Sequence, residues 1–324
     1  MSAMVEVDVH LVDADRTAAM TRDVRRGLTS TPKLLPPVWF YDERGSELFD
    51  EITRLPEYYP TRAEQAILEA HADDIAGAAR ATTLVELGSG TSAKTRLLLD
   101  AMVDRGALEQ FVPLDVSEET LRHAADDISG EYDLPVHAVV GDFHRHLRDL
   151  PRYGRRMVAF LGGTIGNFTP TERHKFLMDL DATMDHDEWL LLGTDLVKDV
   201  DRLVAAYDDA AGVTAAFNRN VLHVINQELG GDFDPDSFEH VARWDPEGSF
   251  IEMRLRATSA QHVRIADLDL EVDFAEGEEM QTEISTKFTP DGIRQELWDC
   301  GFVVEHAWTD PAGDFLLTLS HPYC

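Results

Sequence analysis

Lysine is almost missing from this chain. Only five of its 324 residues are lysine, and arginine brings the basic total to 29 against 61 acidic residues, a formal charge of -32. The negative charge is spread along the sequence rather than gathered in a tail. Nucleic acid and anionic membrane surfaces are poor partners for such a chain, because neutralising phosphates needs basic patches. Self-repulsion on this scale is screened in concentrated salt, a setting that the composition suits. Cysteine is scarce too. Cys300 and Cys324 make no framework of bridges and no CxxC spacing, which points to a reducing cytoplasm. The 13 histidines show no metal-ligand spacing, and HRH at 144–146 reads as a solvated turn, so no metal is expected.

Long apolar runs are also lacking. MVAFLGG and WLLLG are strand-sized and far below a membrane span. The N-terminal MSAMVEVDVHLVDADR is acidic and has neither the basic region nor the apolar core of a signal peptide. No internal repeat or low-complexity tract is present. The expectation is a soluble cytoplasmic monomer of two lobes, with ample apolar content for a core.

What the sequence does contain is a regular alternation. TRAEQAILEAHADDIAGAAR, residues 61–80, has helical apolar spacing, and TTLVEL is a short strand that runs into a glycine turn. A helix is expected to open after the turn with Ser92 as its cap. FVPLD, VHAVVGDF, RRMVAFLGG and EWLLLGTD follow as strands. Between them lie helices opened by Ser117 and by Thr169 with Pro170. Such alternation predicts an α/β fold with a parallel sheet wound on both faces. Near residue 200 the rhythm changes to two helices and then to SFIEMRLRATS and EMQTEISTKF, whose period of two suits antiparallel strands. The last forty residues return to a helix and two strands. The reading is a Rossmann-like sheet domain over 61–200 and 286–324, with an inserted α+β lobe over 201–285 joined by residues 1–60.

The glycine turn ELGSGTSAKT, residues 86–95, fits three templates. From Gly88 it resembles a phosphate loop ending in Lys94 and Thr95, but Ala93 replaces the glycine that such a loop needs before its lysine. It also fits a dinucleotide fingerprint, in which Glu86 stands where an apolar residue is usual. With Glu86 included it is the acid-x-Gly-x-Gly turn of an S-adenosylmethionine site built on Gly88 and Gly90. A carboxylate there attracts a sulfonium and an ammonium, whereas it repels a pyrophosphate. Asp115 closes the next strand, where a carboxylate can accept from both ribose hydroxyls. Asp142 closes the one after, where it can accept from an adenine amine beside Phe143. Any one of these acids can be a solvated turn residue. Three at successive strand ends, in that order, favour adenosylmethionine.

Long stretches in both lobes resemble the histidine-specific Nα-methyltransferases of ergothioneine biosynthesis, of the actinobacterial type. The resemblance rests on LPPVWFYDERGSELFDEITRLPEYYPTR, LVELGSGTSAKTRLLLDAM, FLGGTIGNFTP, LLLGTDLVKD, RLVAAYDDAAGVTAAFNRNVL and LDLEVDFAEGEEMQTEISTKF. It implies a class I methyltransferase sheet with an inserted substrate-binding lobe. It also implies that Gly88, Lys94, Asp115, Asp142 and Phe143 hold S-adenosylmethionine. L-histidine is implied to lie against Tyr58, Asn167, Tyr207, Glu283 and Ser285, with Met253 and Ile284 as further contacts and Tyr41 near the reacting amine. One departure is visible: Gly163 stands where the family usually has a serine.

Read physically, each of these positions keeps an ordinary alternative. Asn167 follows a glycine-rich strand end, where it can bind a ligand or simply turn the chain. Tyr58 and Tyr207 suit core packing as well as a site. Glu283 and Ser285 are two apart on a strand and so share a face, which is either solvated or able to meet both nitrogens of an imidazole. The implied reaction is trimethylation of the histidine α-amine to hercynine. Its rivals are a methyltransferase for another small amine and a non-catalytic adenosylmethionine-binding subunit that activates a partner.

Overall fold

The computed structural model describes residues 4–90 and 92–323, and over these the chain divides into two compact units. Thr91 of the glycine turn and the terminal Cys324 lie outside the described residues. One unit comprises residues 4–12, 60–196 and 288–323; the other comprises 13–59 and 197–287.

The first unit is built on an eight-stranded sheet. Its strands are β1 (Val5–Val9), β2 (Thr83–Leu87), β3 (Gln110–Asp115), β4 (Val136–Val140), β5 (Arg156–Phe160) and β6 (Trp189–Asp195), joined late in the chain by β12 (Phe302–Thr309) and β13 (Phe315–Pro322). The order is β1-β4-β3-β2-β5-β6-β13-β12. The first six strands run parallel and β13 runs antiparallel between β6 and β12. Strands β2, β4 and β5 are buried along their whole length, which is why they read as continuous apolar runs. Helices α3 (Pro60–Ala79), α4 (Arg96–Asp104) and α5 (Glu118–Tyr132) bury one face of the sheet, and α6 (Pro170–Asp181) and α9 (Pro290–Asp299) bury the other. Strand order reverses between β2 and β5, so the turns that follow these two strands flank a topological switch point, where open α/β sheets bind ligands.

Two expectations need correction. Residues 4–12 belong to the sheet unit, because VEVDV pairs residue for residue with β4 as a parallel edge strand. Its alternating acids mark a strand solvated on one side, and Asp8 accepts from His137 Nε2 at 2.9 Å. Helix α4 starts at Arg96 rather than after Ser92, because the Ser92 and Thr95 hydroxyls both turn back to Glu86 and neither caps the helix. Thr169 does form a capping box with Glu172 ahead of Pro170.

The second unit packs α1 (Asp13–Leu28), α2 (Glu43–Arg54), α7 (Val200–Tyr207) and α8 (Val213–Leu229) with an antiparallel sheet. The sheet holds β7 (Phe238–Asp245), β8 (Phe250–Ala257) and β11 (Glu279–Thr286) in the order β11-β8-β7, and β9 (Gln261–Ile265) forms a separate pair with β10 (Leu270–Phe274). Phe40, Phe217, Val221, Ile225, Leu255 and Met280 lie in its buried core. Among the described residues no helix is long and apolar enough to cross a membrane.

The charge balance gives a first prediction. Exposed ion pairs such as Arg54–Asp50 and Arg122–Glu118 are each worth about 0–1 kcal/mol, so screening them costs little. Repulsion from a net charge of -32 is the larger effect. The melting temperature is therefore expected to rise by several degrees between dilute buffer and molar KCl. A flat or falling value in a thermal scan would refute this.

Candidate functional site

At the end of β2 the chain turns through Gly88 and Gly90, at φ +69° and +50°. These are left-handed conformations that favour glycine. A Cβ on Gly88 would stand 3.7 Å from the Phe143 ring, and one on Gly90 would meet nothing within 4 Å. The turn is thus open above Gly90 and walled by an aromatic ring at Gly88. Asp115, at the end of β3, fixes the turn: one carboxylate oxygen accepts from Gly90 N at 2.8 Å and the other from Ser117 N at 3.0 Å. Burial raises its pKa against these backbone N–H groups.

Glu86 is buried beneath the turn, accepting from Ser92 Oγ at 2.8 Å and from the Thr95 hydroxyl. Burial pushes it up to about 7, opposed by the two hydroxyls and by Lys94. It therefore braces the loop from within. Lys94 pairs with Glu64, a fully buried carboxylate of α3 that also accepts from Gly162 N at 2.8 Å.

Asp142 follows β4 and accepts from His144 N at 2.8 Å, while its own N–H donates to His146 Nδ1 at 2.9 Å. HRH is thus a turn with an internal role for His146. Phe143 packs among Phe160, Phe168 and Phe176. Asn167 ends a 3-10 turn, Thr164–Asn167, beyond β5. It is half-buried, and its side-chain amide has no hydrogen-bond partner among the described residues. Gly163 sits at φ +70°, a left-handed conformation that glycine adopts without strain.

These contacts separate the three templates. The only lysine of the loop is held by Glu64, and the threonine hydroxyl that would serve a phosphate-bound metal donates to Glu86. Two carboxylates flank the turn, Glu86 and Asp115. Among the described residues no cluster could hold a metal ion. The surroundings suit a cofactor that carries positive charge and exposes a diol; they do not suit a polyphosphate.

The second unit gathers the other residues. Tyr41 follows the 3-10 turn Pro37–Phe40, with its ring edge-on to Phe49 and Phe217 at 5.8 and 5.5 Å. Asn220 of α8 ties down both its neighbours, donating to Phe40 O at 3.0 Å and to Asp42 Oδ1 at 2.7 Å. Tyr58 is buried edge-on between Phe49 and Tyr207.

Strand β11 carries a bulge that the alternation of its sequence hides. Gln281 pairs with Arg254 of β8 and Glu283 with Met253, leaving Thr282 as the extra residue, its hydroxyl bonded to Met253 O at 3.0 Å. The extra residue shifts the pleat by one. Without it Glu283 would share the outer, charged side of Gln281 and Arg254. With it, Glu283 and Ser285 share the core side of Met280, Met253 and Ile251. Ile284 pairs with Glu252 on the opposite face, so its side chain does not point with those of Glu283 and Ser285.

Ser285 Oγ lies 2.8 Å from Tyr207 Oη, and Lys287 Nζ donates to both at 2.8 Å. An ammonium has no acceptor, so both oxygens accept from it and any hydroxyl proton points away from Lys287. Glu283 has no hydrogen-bond partner among the described residues. Burial pushes it up to about 7 against the pull of Lys287. Sequence reasoning missed Lys287 and Glu64. A lysine on a predicted strand and a glutamate on an amphipathic helix both pass for solvated charges, and no local pattern marks them as buried.

Residues 20–322 match the family model described as histidine-specific methyltransferase, SAM-dependent. The histidine N-alpha-methyltransferase of Mycolicibacterium smegmatis is 60% identical over 309 residues, covering 95% of this chain and 96% of that one. Its namesake from Mycobacterium tuberculosis is 57% identical over 317 residues, covering 98% and 99%. Ergothioneine biosynthesis protein 1 of Schizosaccharomyces pombe is 32% identical over 226 residues, covering 66% of this chain and 29% of that one.

Proposed function

The chain belongs to the histidine-specific, S-adenosylmethionine-dependent methyltransferases, and from that premise we propose that it methylates the α-amino group of L-histidine three times, to hercynine, in ergothioneine biosynthesis. The observation that carries the substrate reading is the buried face of β11, where Glu283 meets no hydrogen-bond partner among the described residues and Ser285 is held by Tyr207 and Lys287. A carboxylate accepts one imidazole N–H and a hydroxyl serves the other nitrogen. Met253, level with Glu283, supplies an apolar wall.

S-adenosylmethionine, when bound, supplies a methyl group on a sulfonium that departs as a neutral thioether. The first unit's residues are assigned to holding it: Asp115 to the ribose hydroxyls, Asp142 to the adenine amine, Phe143 to the adenine ring, and Gly88 and Gly90 to close backbone approach. Lys94, paired as it is, remains on the cofactor side. Tyr41 and Asn167 are assigned to the amine, Tyr41 to orient its lone pair and Asn167 to accept and donate at the amino-acid end. Tyr58 and Tyr207 complete the histidine contacts. No side chain has to act as a strong base, because the amine can lose its proton to water before each transfer, and positioning does most of the work.

We also assign the protein to a reducing cytoplasm as a monomer, with neither nucleic acid nor membrane as partner. The support is the charge of -32 and the two cysteines, of which Cys300 is buried and free.

The test is incubation of the purified chain with S-adenosylmethionine and an amino-acid mixture, read by mass spectrometry. Histidine carrying three added methyl groups is the expected product. Preferential methylation of another amine, or no turnover by the chain alone, would overturn the reading.

A further inference from the structure

Glu64 is a carboxylate with no exposed surface, and the reaction as described gives it no part. Burying such a group is costly unless its charge and lone pairs are satisfied. Here both oxygens are engaged, one by Gly162 N at 2.8 Å and the other by the Lys94 ammonium. The fold also makes room for it: a Cβ on Gly193 of β6 would clash with Glu64 Oε1. Glu64 thereby joins the turn after β2 to the turn after β5, the two turns that flank the switch point of the sheet.

The charge of the pair matters as much as its position. Lys94 is the only basic residue in the glycine turn. S-adenosylmethionine carries a positive sulfonium, and the product S-adenosylhomocysteine has a neutral thioether in its place. An unpaired ammonium beside the turn would repel the first and not the second. We propose that Glu64 is a positioning residue that cancels the charge of Lys94, so that the site favours the charged cofactor over its uncharged product. This rests on the adenosylmethionine reading of the turn.

Calorimetric titration of both compounds into the full chain tests it. Glu64→Gln keeps the size and an acceptor for Gly162 but leaves Lys94 uncompensated. The preference for S-adenosylmethionine over S-adenosylhomocysteine is expected to fall about fivefold or more, the scale of one charge interaction in a protein interior. Lys94→Gln is expected to leave that preference unchanged or raised, because the ammonium that would repel the sulfonium is gone. The double variant is expected to return it towards the parent value. A merely structural role would weaken both compounds equally, so an unchanged ratio in Glu64→Gln would overturn the proposal. Should that variant not fold, a lowered ratio in Lys94→Gln would overturn it as well. A parent protein that binds neither compound would instead remove the cofactor reading on which the proposal stands.

Discussion

Replacing Glu283 by alanine is expected to lower kcat/KM for histidine about tenfold to over a hundredfold, while amino acids without an imidazole lose less or gain. The figure follows from a charged acceptor, worth roughly 1.5–3 kcal/mol when its loss leaves an N–H unpaired. The bulge at Thr282 sets Glu283 on the core side of β11, level with the buried Met253, where no other described residue meets its carboxylate with a hydrogen bond. Ligands that never used the bond do not suffer its loss, because a site built to pair a polar group discriminates through what is left unpaired. Competition between histidine and phenylalanine, at saturating cofactor, measures the change in parent and variant. A folded variant that keeps the parent's preference would show that the imidazole is read elsewhere.

The same carboxylate predicts a pH dependence. Burial raises Glu283 to about 7, so the folded protein without ligand binds a proton that the unfolded chain gives up near 4.5. Its contribution to stability is therefore complete below the usual carboxylate range and is lost as pH rises through about 7. Glu86, also pushed up to about 7, acts in the same direction. For binding the sign reverses, because the ionised form of Glu283 is the acceptor. Histidine affinity is expected to strengthen between about pH 6 and 8 through this group, and Glu283→Gln should remove that component. The charged group that faces Glu283 is Lys287, which favours ionisation.

The sheet and the glycine turn were legible because their signals are local. A strand, a glycine turn and acids at successive strand ends can be read in order from the sequence, and the sheet brings Asp115 onto Gly90 as that order implies. Other features depend on partners distant in the chain. Ser92 looks like a helix cap until Glu86 takes its hydroxyl. Glu279, Gln281, Glu283 and Ser285 look like one polar face until the Thr282 bulge divides them between two sides of the sheet. Glu64 and Lys287 meet their partners 30 and 80 residues away, at Lys94 and Tyr207. The acids of VEVDV mask an edge strand whose partner lies beyond residue 130.

Asp115→Ala is expected to weaken S-adenosylmethionine by about 1.5–3 kcal/mol, roughly tenfold to over a hundredfold, if its carboxylate accepts from the ribose. The structure supplies a second cause for any such loss. The same carboxylate accepts from Gly90 N and Ser117 N, so the alanine variant also releases the glycine turn. The affinity of one variant cannot divide the two effects, but a double-mutant cycle on the ligand can. Analogues of S-adenosylhomocysteine lacking the 2′ or 3′ hydroxyl lose a ribose bond and leave the turn untouched. If Asp115 meets the diol, removing a hydroxyl costs the parent protein affinity and costs the alanine variant much less. If Asp115 only anchors Gly90, each deoxy analogue loses the same factor in both proteins. Each carboxylate oxygen carries two lone pairs, and the Gly90 and Ser117 N–H groups do not use them all, so capacity remains for a ribose hydroxyl. Equal losses across the cycle, measured by calorimetry on folded variants, would confine Asp115 to holding the turn.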